Sequence, residues 1–247
     1  MPTNLAGHPI QETSYYYPLM AIREYLKCLP QSDSYRNLVA HVDDRVLVMT
    51  HDDQFDATTV EYEKRFGISS TFFLLTPLMV SKADYLGVDV QLHFGKFYAS
   101  LNRQVSEFFE KTARFPTVNR THRLYWRSDF FDLAFLAFEG FHVDCTKVGF
   151  EPYRLCVDGK VLPIWELPVC ISDQPSDGRL VSSWNPAKKI ESLFRDSVSP
   201  IVVSCHSQSL LGALRMRSQF ELVCELKEKY HYESLNVSQF HERYLNE

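Results

Sequence analysis

Residues 45–53 read RVLVMTHDD, a short apolar run that ends in an imidazole and two carboxylates. Six further stretches repeat the apolar character: 70–75 (STFFLL), 88–92 (VDVQL), 117–121 (TVNRT), 141–145 (FHVDC), 162–169 (LPIWELPV) and 200–205 (PIVVSC). Between them lie helical patterns near 57–66, 96–113, 128–139, 186–197 and 208–229. The helix over 96–113 carries Phe97, Leu101, Val105, Phe108 and Phe109 as an apolar stripe. Strands interleaved with helices predict an α/β fold with a mainly parallel sheet, because parallel neighbours need a crossover between them. An open doubly wound sheet and a closed barrel both fit this alternation. Residues 51–56 (HDDQFD) contain no glycine-rich phosphate loop, which disfavours a nucleotide-binding fold.

Working outward, residues 1–42 predict a helical extension packed on a single domain that spans 1–247. Its helix falls around 16–29, where Leu19, Ile22, Leu26 and Leu29 recur at helical spacing before Pro30. Residues 146–161 and 172–183 read as long loops, and the polar C-terminal stretch 227–247 as a solvated helix face. Asp56 reads as the cap of the helix that follows it.

The chain has 247 residues, 45% of them apolar and 23% charged, with a net charge of −5, so disorder is excluded and nothing favours nucleic acid as a partner. No stretch approaches the length of a membrane span. Six cysteines without a C-x-x-C pair read as buried reduced thiols, not as a disulfide framework or a thiolate zinc site. The N-terminal residues have neither a basic start nor an apolar core, which predicts no secretory signal and a cytoplasmic protein.

Four of the nine histidines directly follow a predicted strand: His51, His93, His122 and His206. In parallel α/β folds the carboxyl ends of the strands meet on one rim, where active sites lie. Imidazoles delivered there beside Asp52 and Asp53 would make a His/Asp cluster of the kind that binds a catalytic divalent metal. Because side chains alternate along a strand, Asp52 and Asp53 would divide the work, one holding the metal and the other acting as general base.

With these residues in place, the region from about Val46 to Leu211 resembles the polysaccharide deacetylase (NodB-homology) family. Thr50-His51-Asp52-Asp53 stands where that family shows Thr-Phe-Asp-Asp. His93-Phe94-Gly95-Lys96-Phe97 stands at its His-x-x-x-His, with Phe97 at the second histidine. Arg120-Thr121-His122 stands at its Arg-x-Pro, and Cys205-His206 at its Leu-His. The resemblance implies an irregular (β/α)7 barrel with seven strands. It also implies a metal-dependent hydrolase that removes an acyl group, N-acetyl above all, from a carbohydrate or glycan precursor. Asp52 then corresponds to the base, Arg120 to the residue that steadies it, His206 to the general acid, and Asp53 and His93 to ligands of a divalent metal, zinc first. His122 takes the place of the missing ligand by position and chemistry. Trp165, Glu166 and Asp173 correspond to substrate-lining residues and to an acid supporting His206, with Trp126 and Phe55 as further aromatic candidates. His51 has no counterpart. Two other readings stay open: hydrolysis of a non-carbohydrate amide or ester on the same scaffold, and a metal-free binding protein that has lost the chemistry.

Overall fold

Strand β2 (Val46–Asp52) is buried along its whole length, with Val46 to His51 at 0% exposure, so both of its faces are covered. The computed structural model describes residues 35–75, 87–94, 101–124, 129–157, 159–173, 186–206 and 214–246. In chain order the remaining strands are β1 (Tyr35–Val39), β3 (Ser70–Leu74), β4 (Asp89–Phe94), β5 (Val118–Thr121), β6 (Val143–Asp144), β7 (Tyr153–Val157), β8 (Lys160–Val161), β9 (Trp165–Glu166), β10 (Ile171–Ser172), β11 (Ile201–His206) and β12 (Glu233–Leu235). Neighbours follow the order β1-β7-β9-β6-β5-β4-β3-β2-β11-β10. From β9 to β10 every pairing is parallel, and among the described residues the antiparallel pairings are those of β7 with β1, β8 and β9 at the far side. The result is an irregular barrel in which each described strand of the parallel run sends its carboxyl end to one rim.

All seven predicted strand stretches contain a strand, though 141–145 and 162–169 each shrink to two residues. Helices Ala57–Lys64, Leu101–Thr112, Asp129–Phe138, Pro186–Arg195 and Leu214–Tyr230 occupy the predicted crossovers. Asp56 caps the first of them, its carboxylate accepting from the Thr58 and Thr59 amides at 3.0 and 3.2 Å. The five described cysteines are free and buried. The helix expected over 16–29 lies outside the described residues, as do Cys28, Phe97 and Trp126.

Three expectations are corrected. Residues 35–39, assigned to a helical extension, form an edge strand that pairs antiparallel with β7. The predicted loop 146–161 contains the β7–β8 hairpin, whose alternate residues Tyr153, Leu155 and Val157 are buried and whose turn uses Gly159 at φ +79°. The C-terminal stretch is not a solvated face. After Tyr230 the chain adds β12 in parallel to Val46–Val48 of β2, just ahead of the point where β3 begins to pair. A capping box between Asn236 and Gln239 then starts the short helix Val237–Phe240, and Val237, Phe240 and Leu245 are all fully buried. Too few apolar residues lie here to show a period, yet each fills a place under the barrel. Among the described residues no helix is long and apolar enough to cross a membrane.

If this tail is part of the core, Phe240→Ala should cost about 3–5 kcal/mol, the range for emptying a buried aromatic site. Urea unfolding checks it, and a loss below about 1 kcal/mol would return the segment to the surface.

Candidate metal centre

Strands β2, β4, β5, β10 and β11 each deliver one part of the site to the common rim. Asp52 ends β2 and lies in register with His206 at the end of β11, while His93 on β4 lies in register with Arg120 on β5. Asp53 follows β2 with φ +74°, a left-handed turn that aspartate tolerates better than most residues. His122 opens the helical turn after β5. Asp173 directly follows β10.

Three donor atoms form a nearly equilateral triangle. Asp53 Oδ1 lies 3.4 Å from His93 Nε2 and 3.5 Å from His122 Nδ1, and the two nitrogens are 3.2 Å apart. Bonds of about 2.0–2.1 Å to a tetrahedral ion place neighbouring donors about 3.3–3.4 Å apart, so the triangle fits such an ion. His93 Nδ1 donates to the Arg120 carbonyl at 3.0 Å, which leaves the Nε2 lone pair facing the triangle. Burial lowers the His93 pKa to about 4 against the opposing pull of Asp52 and Asp53, so the ring is neutral near pH 7 as a ligand must be. Asp53 Oδ1 is buried and accepts no hydrogen bond. A buried carboxylate oxygen left in that state costs free energy unless something positive meets it.

Beside the triangle, Asp52 is held by two different donors. Arg120 Nη1 donates to its Oδ1 at 2.8 Å, and Ser204 Oγ to its Oδ2 at 3.0 Å. Arg120 has no exposed surface. Its Nη1 also donates to Thr50 Oγ1 at 2.6 Å and its Nε to the Cys145 carbonyl at 2.9 Å, and the guanidinium lies 4.4 Å from the centre of the Phe73 ring. Burial would raise the Asp52 pKa, but the charges of Arg120 and His93 outweigh it and bring it down to about 2. On the other side, His206 Nδ1 donates to Asp173 Oδ1 at 2.9 Å and its backbone N–H to Oδ2 at 2.7 Å. Burial lowers the His206 pKa, and the hydrogen bond and charge of Asp173 more than reverse this, so it is raised. His206 Nε2 faces Asp53 Oδ2 at 3.7 Å.

No family model matches the sequence, and neither does any curated protein. Solved structures do. A protein from Mycobacterium smegmatis described as a polysaccharide deacetylase superposes with a TM-score of 0.51 at 15% identity, over 85% of this chain and 95% of that one. The chain has the polysaccharide deacetylase fold. A polysaccharide deacetylase from Bacillus cereus (TM-score 0.47, 14% identity, 78% and 93% covered) and the peptidoglycan deacetylase PdaC from Bacillus subtilis (0.47, 11%, 81% and 91%) are also similar.

Within the deacetylase fold, Asp52, Asp53, His93, Arg120, His122 and His206 meet at one mouth, and Asp173 joins them as the partner of His206. Glu166 does not. It lies in register with Asp144, and its Oε1 accepts from the Lys147 amide at 2.9 Å. Trp165 is not at the rim, because its Nε1 donates to the Leu245 carbonyl at 2.8 Å, in the C-terminal tail. Phe55 packs edge-on against Phe72 at 5.2 Å. His51 faces away from Asp52 and contacts Glu63. His41, His142 and His231 are exposed, and His241 is half-buried against His142. Ser204 and Thr50, which steady Asp52 and Arg120, escaped sequence reasoning. Their signal was their place two residues before His206 and Asp52, on the same face of adjacent strands.

Because Asp52 is held below its ordinary value of 3.8, its contribution to stability is complete above that pH and lost as pH falls toward about 2. The expected loss is about 2 kcal/mol, the equivalent of the shift. Denaturant titrations between pH 5 and 2 should show this segment in the wild type and not in Asp52→Asn. Parallel profiles for the two would contradict the ion pair.

Proposed function

We propose that the chain is a metal-dependent hydrolase that removes an acyl group, N-acetyl in particular, from a carbohydrate or glycan-precursor substrate. The observation that carries this reading is the Asp53–His93–His122 donor triangle with its unpartnered carboxylate oxygen, next to a second carboxylate held apart from it by Arg120. The names of the structurally similar proteins support the substrate class.

Asp53, His93 and His122 would hold a divalent ion, with zinc the best match to one oxygen and two imidazole donors. When bound, that ion supplies Lewis acidity to the acyl carbonyl and lowers the pKa of water. The chain's own residues do the rest. Asp52, kept ionised by Arg120 and Ser204, takes a proton from the attacking water as the carbon–oxygen bond forms. Its low pKa makes the proton a short stay, so the fixed carboxylate acts mainly in the transition state. His206, whose hold on its proton Asp173 strengthens, gives its Nε2 proton to the nitrogen as the carbon–nitrogen bond breaks. The products are a free amine and a carboxylate such as acetate. The ligand-rich mouth supports this reading over a metal-free binding protein.

The test has two readouts. Asp53→Ala and His122→Phe should each lower bound metal at least tenfold by elemental analysis of chain purified without chelator. Asp52→Asn should keep its metal and lose acetate release from N-acetylglucosamine oligomers by about 10²–10⁴-fold. Full metal content in His122→Phe would remove that residue from the ligand set. A metal-loaded wild type that releases no acetate from any N-acetyl sugar would end the carbohydrate reading.

A further inference from the structure

His51 is used by nothing so far, yet it sits one residue from Asp52 and two from Asp53. Alternation along β2 sends its ring to the opposite face, between the sheet and helix Ala57–Lys64. There it joins a buried chain of polar contacts. Its Nε2 lies 2.7 Å from Glu63 Oε1, its Nδ1 lies 3.2 Å from Cys205 Sγ, and Glu63 Oε2 accepts from Ser70 Oγ at 2.6 Å. The ring stacks on Phe72 with centroids 4.6 Å apart. His51 and Glu63 are at 0% and 1% exposure. Two apolar side chains would fill this space without the desolvation cost, so the polar pair adds little to stability, and fixing geometry is what it does better than they would.

The geometry it fixes is the turn between β2 and the helix. That turn has only Asp53 to Asp56, and Asp53 within it adopts the left-handed conformation. Such a conformation persists only where the surroundings over-determine it. Two backbone bonds hold the turn: Gln54 N–H to the Asp52 carbonyl within it, and Leu75 N–H, just after β3, to the Asp53 carbonyl, both at 3.1 Å. Asp56 anchors its far end to the helix. The contact between His51 and Glu63 then ties that helix, two turns on, back to the strand that leads into the turn. Through Cys205, the residue before His206, the same imidazole also reaches the strand that carries His206.

We propose that His51, bridging Glu63 and Cys205 behind the sheet, is a positioning residue that clamps the Asp53 turn and so sets one corner of the metal-binding triangle. The effect on metal rests on the proposed metal centre, whereas the effect on the turn does not.

The experiment compares full-length wild type, His51→Phe, His51→Gln, Glu63→Gln and Cys205→Ala. Hydrogen exchange reads the turn without any metal. In His51→Phe the Gln54 and Leu75 amides should exchange about tenfold faster, while the amides of the β2–β11 ladder stay as protected as in wild type. Cobalt(II) titration reads the triangle, and His51→Phe should lose about 10–100-fold in affinity with a shifted visible spectrum. His51→Gln, which keeps a donor toward Glu63, should recover most of both effects. Should His51→Phe fail to fold, Glu63→Gln and Cys205→Ala must show the same local exchange pattern at smaller size. Unchanged exchange at Gln54 and Leu75, or a rise spread evenly over the ladder, would overturn the proposal in favour of ordinary packing. A wild type that takes up no cobalt would instead count against the metal centre, with the exchange comparison still deciding the role of His51.

Discussion

A guanidinium without solvent contact lies inside the barrel, and the arrangement of the rim depends on it. Arg120 reaches from β5 to Asp52 on β2, 68 residues away in sequence, and to the Cys145 carbonyl just after the neighbouring strand β6. Removing a full charge from water is tolerable only when partners with good geometry repay the loss. Arg120 has a carboxylate, a hydroxyl, a carbonyl and the face of Phe73, and its Nη2 alone has no hydrogen-bond partner. That set fixes the distance between the strands that carry Asp53 and His122, so the ion pair governs where two corners of the donor triangle fall. It also separates the two neighbouring carboxylates by role. Asp52 is satisfied by Arg120 and Ser204, while Asp53 Oδ1 is left with no donor.

Parallel pairing lets each of these strands serve two layers at once. On β2 the inner face presents Thr50 and Asp52 to the barrel, and the outer face presents Met49 and His51 to the helices. In-register neighbours repeat the scheme, with Ser204 beside Thr50, Cys205 beside His51 and His206 beside Asp52. A change on the outer face is therefore one residue away from the chemistry, and strain at the rim can be countered by contacts made behind the sheet.

The rim was legible in the sequence because it needed only two facts, a short apolar run and a polar residue directly after it. That combination placed His93, His122 and His206 together although His93 and His206 are more than a hundred residues apart. The same alternation argument that divided Asp52 from Asp53 also determines that His51 faces outward, so its position was readable while its partner Glu63 was not. What a single chain pattern does not carry is pairing between short segments. Trp165–Glu166 and Ile171–Ser172 are strands of two residues, ordered by their neighbours, since no period can be counted over that length. The C-terminal Glu233–Leu235 behaves likewise, because its place beside β2 depends on β3 starting three residues late. Trp165 shows the opposite error, an aromatic residue next to an acid that reads as a binding surface until the Leu245 carbonyl is found on its indole nitrogen.

Three histidines face the Asp53 carboxylate, and the surroundings of two of them, His93 and His206, push their protonation in opposite directions. His93 has a carbonyl as its hydrogen-bond partner and is enclosed, so its ring stays neutral and offers a lone pair. His206 has a carboxylate that accepts from both its ring and its backbone, so its ring keeps a proton longer. A neutral imidazole suits coordination and a charged one suits donation to a departing amine, and a site that needs both must separate them electrostatically. Here the separation comes from second partners that lie one strand away in each case: the Arg120 carbonyl on β5 beside β4, and Asp173 after β10 beside β11. A loss of Asp173 would therefore act on the protonation of His206 while leaving the donor triangle intact, whereas a shift of β5 would disturb Arg120, His122 and the anchor of His93 together. The opposite shifts of the two rings are thus a consequence of strand order, which is why the fold and the chemistry proposed for it stand on the same pairings.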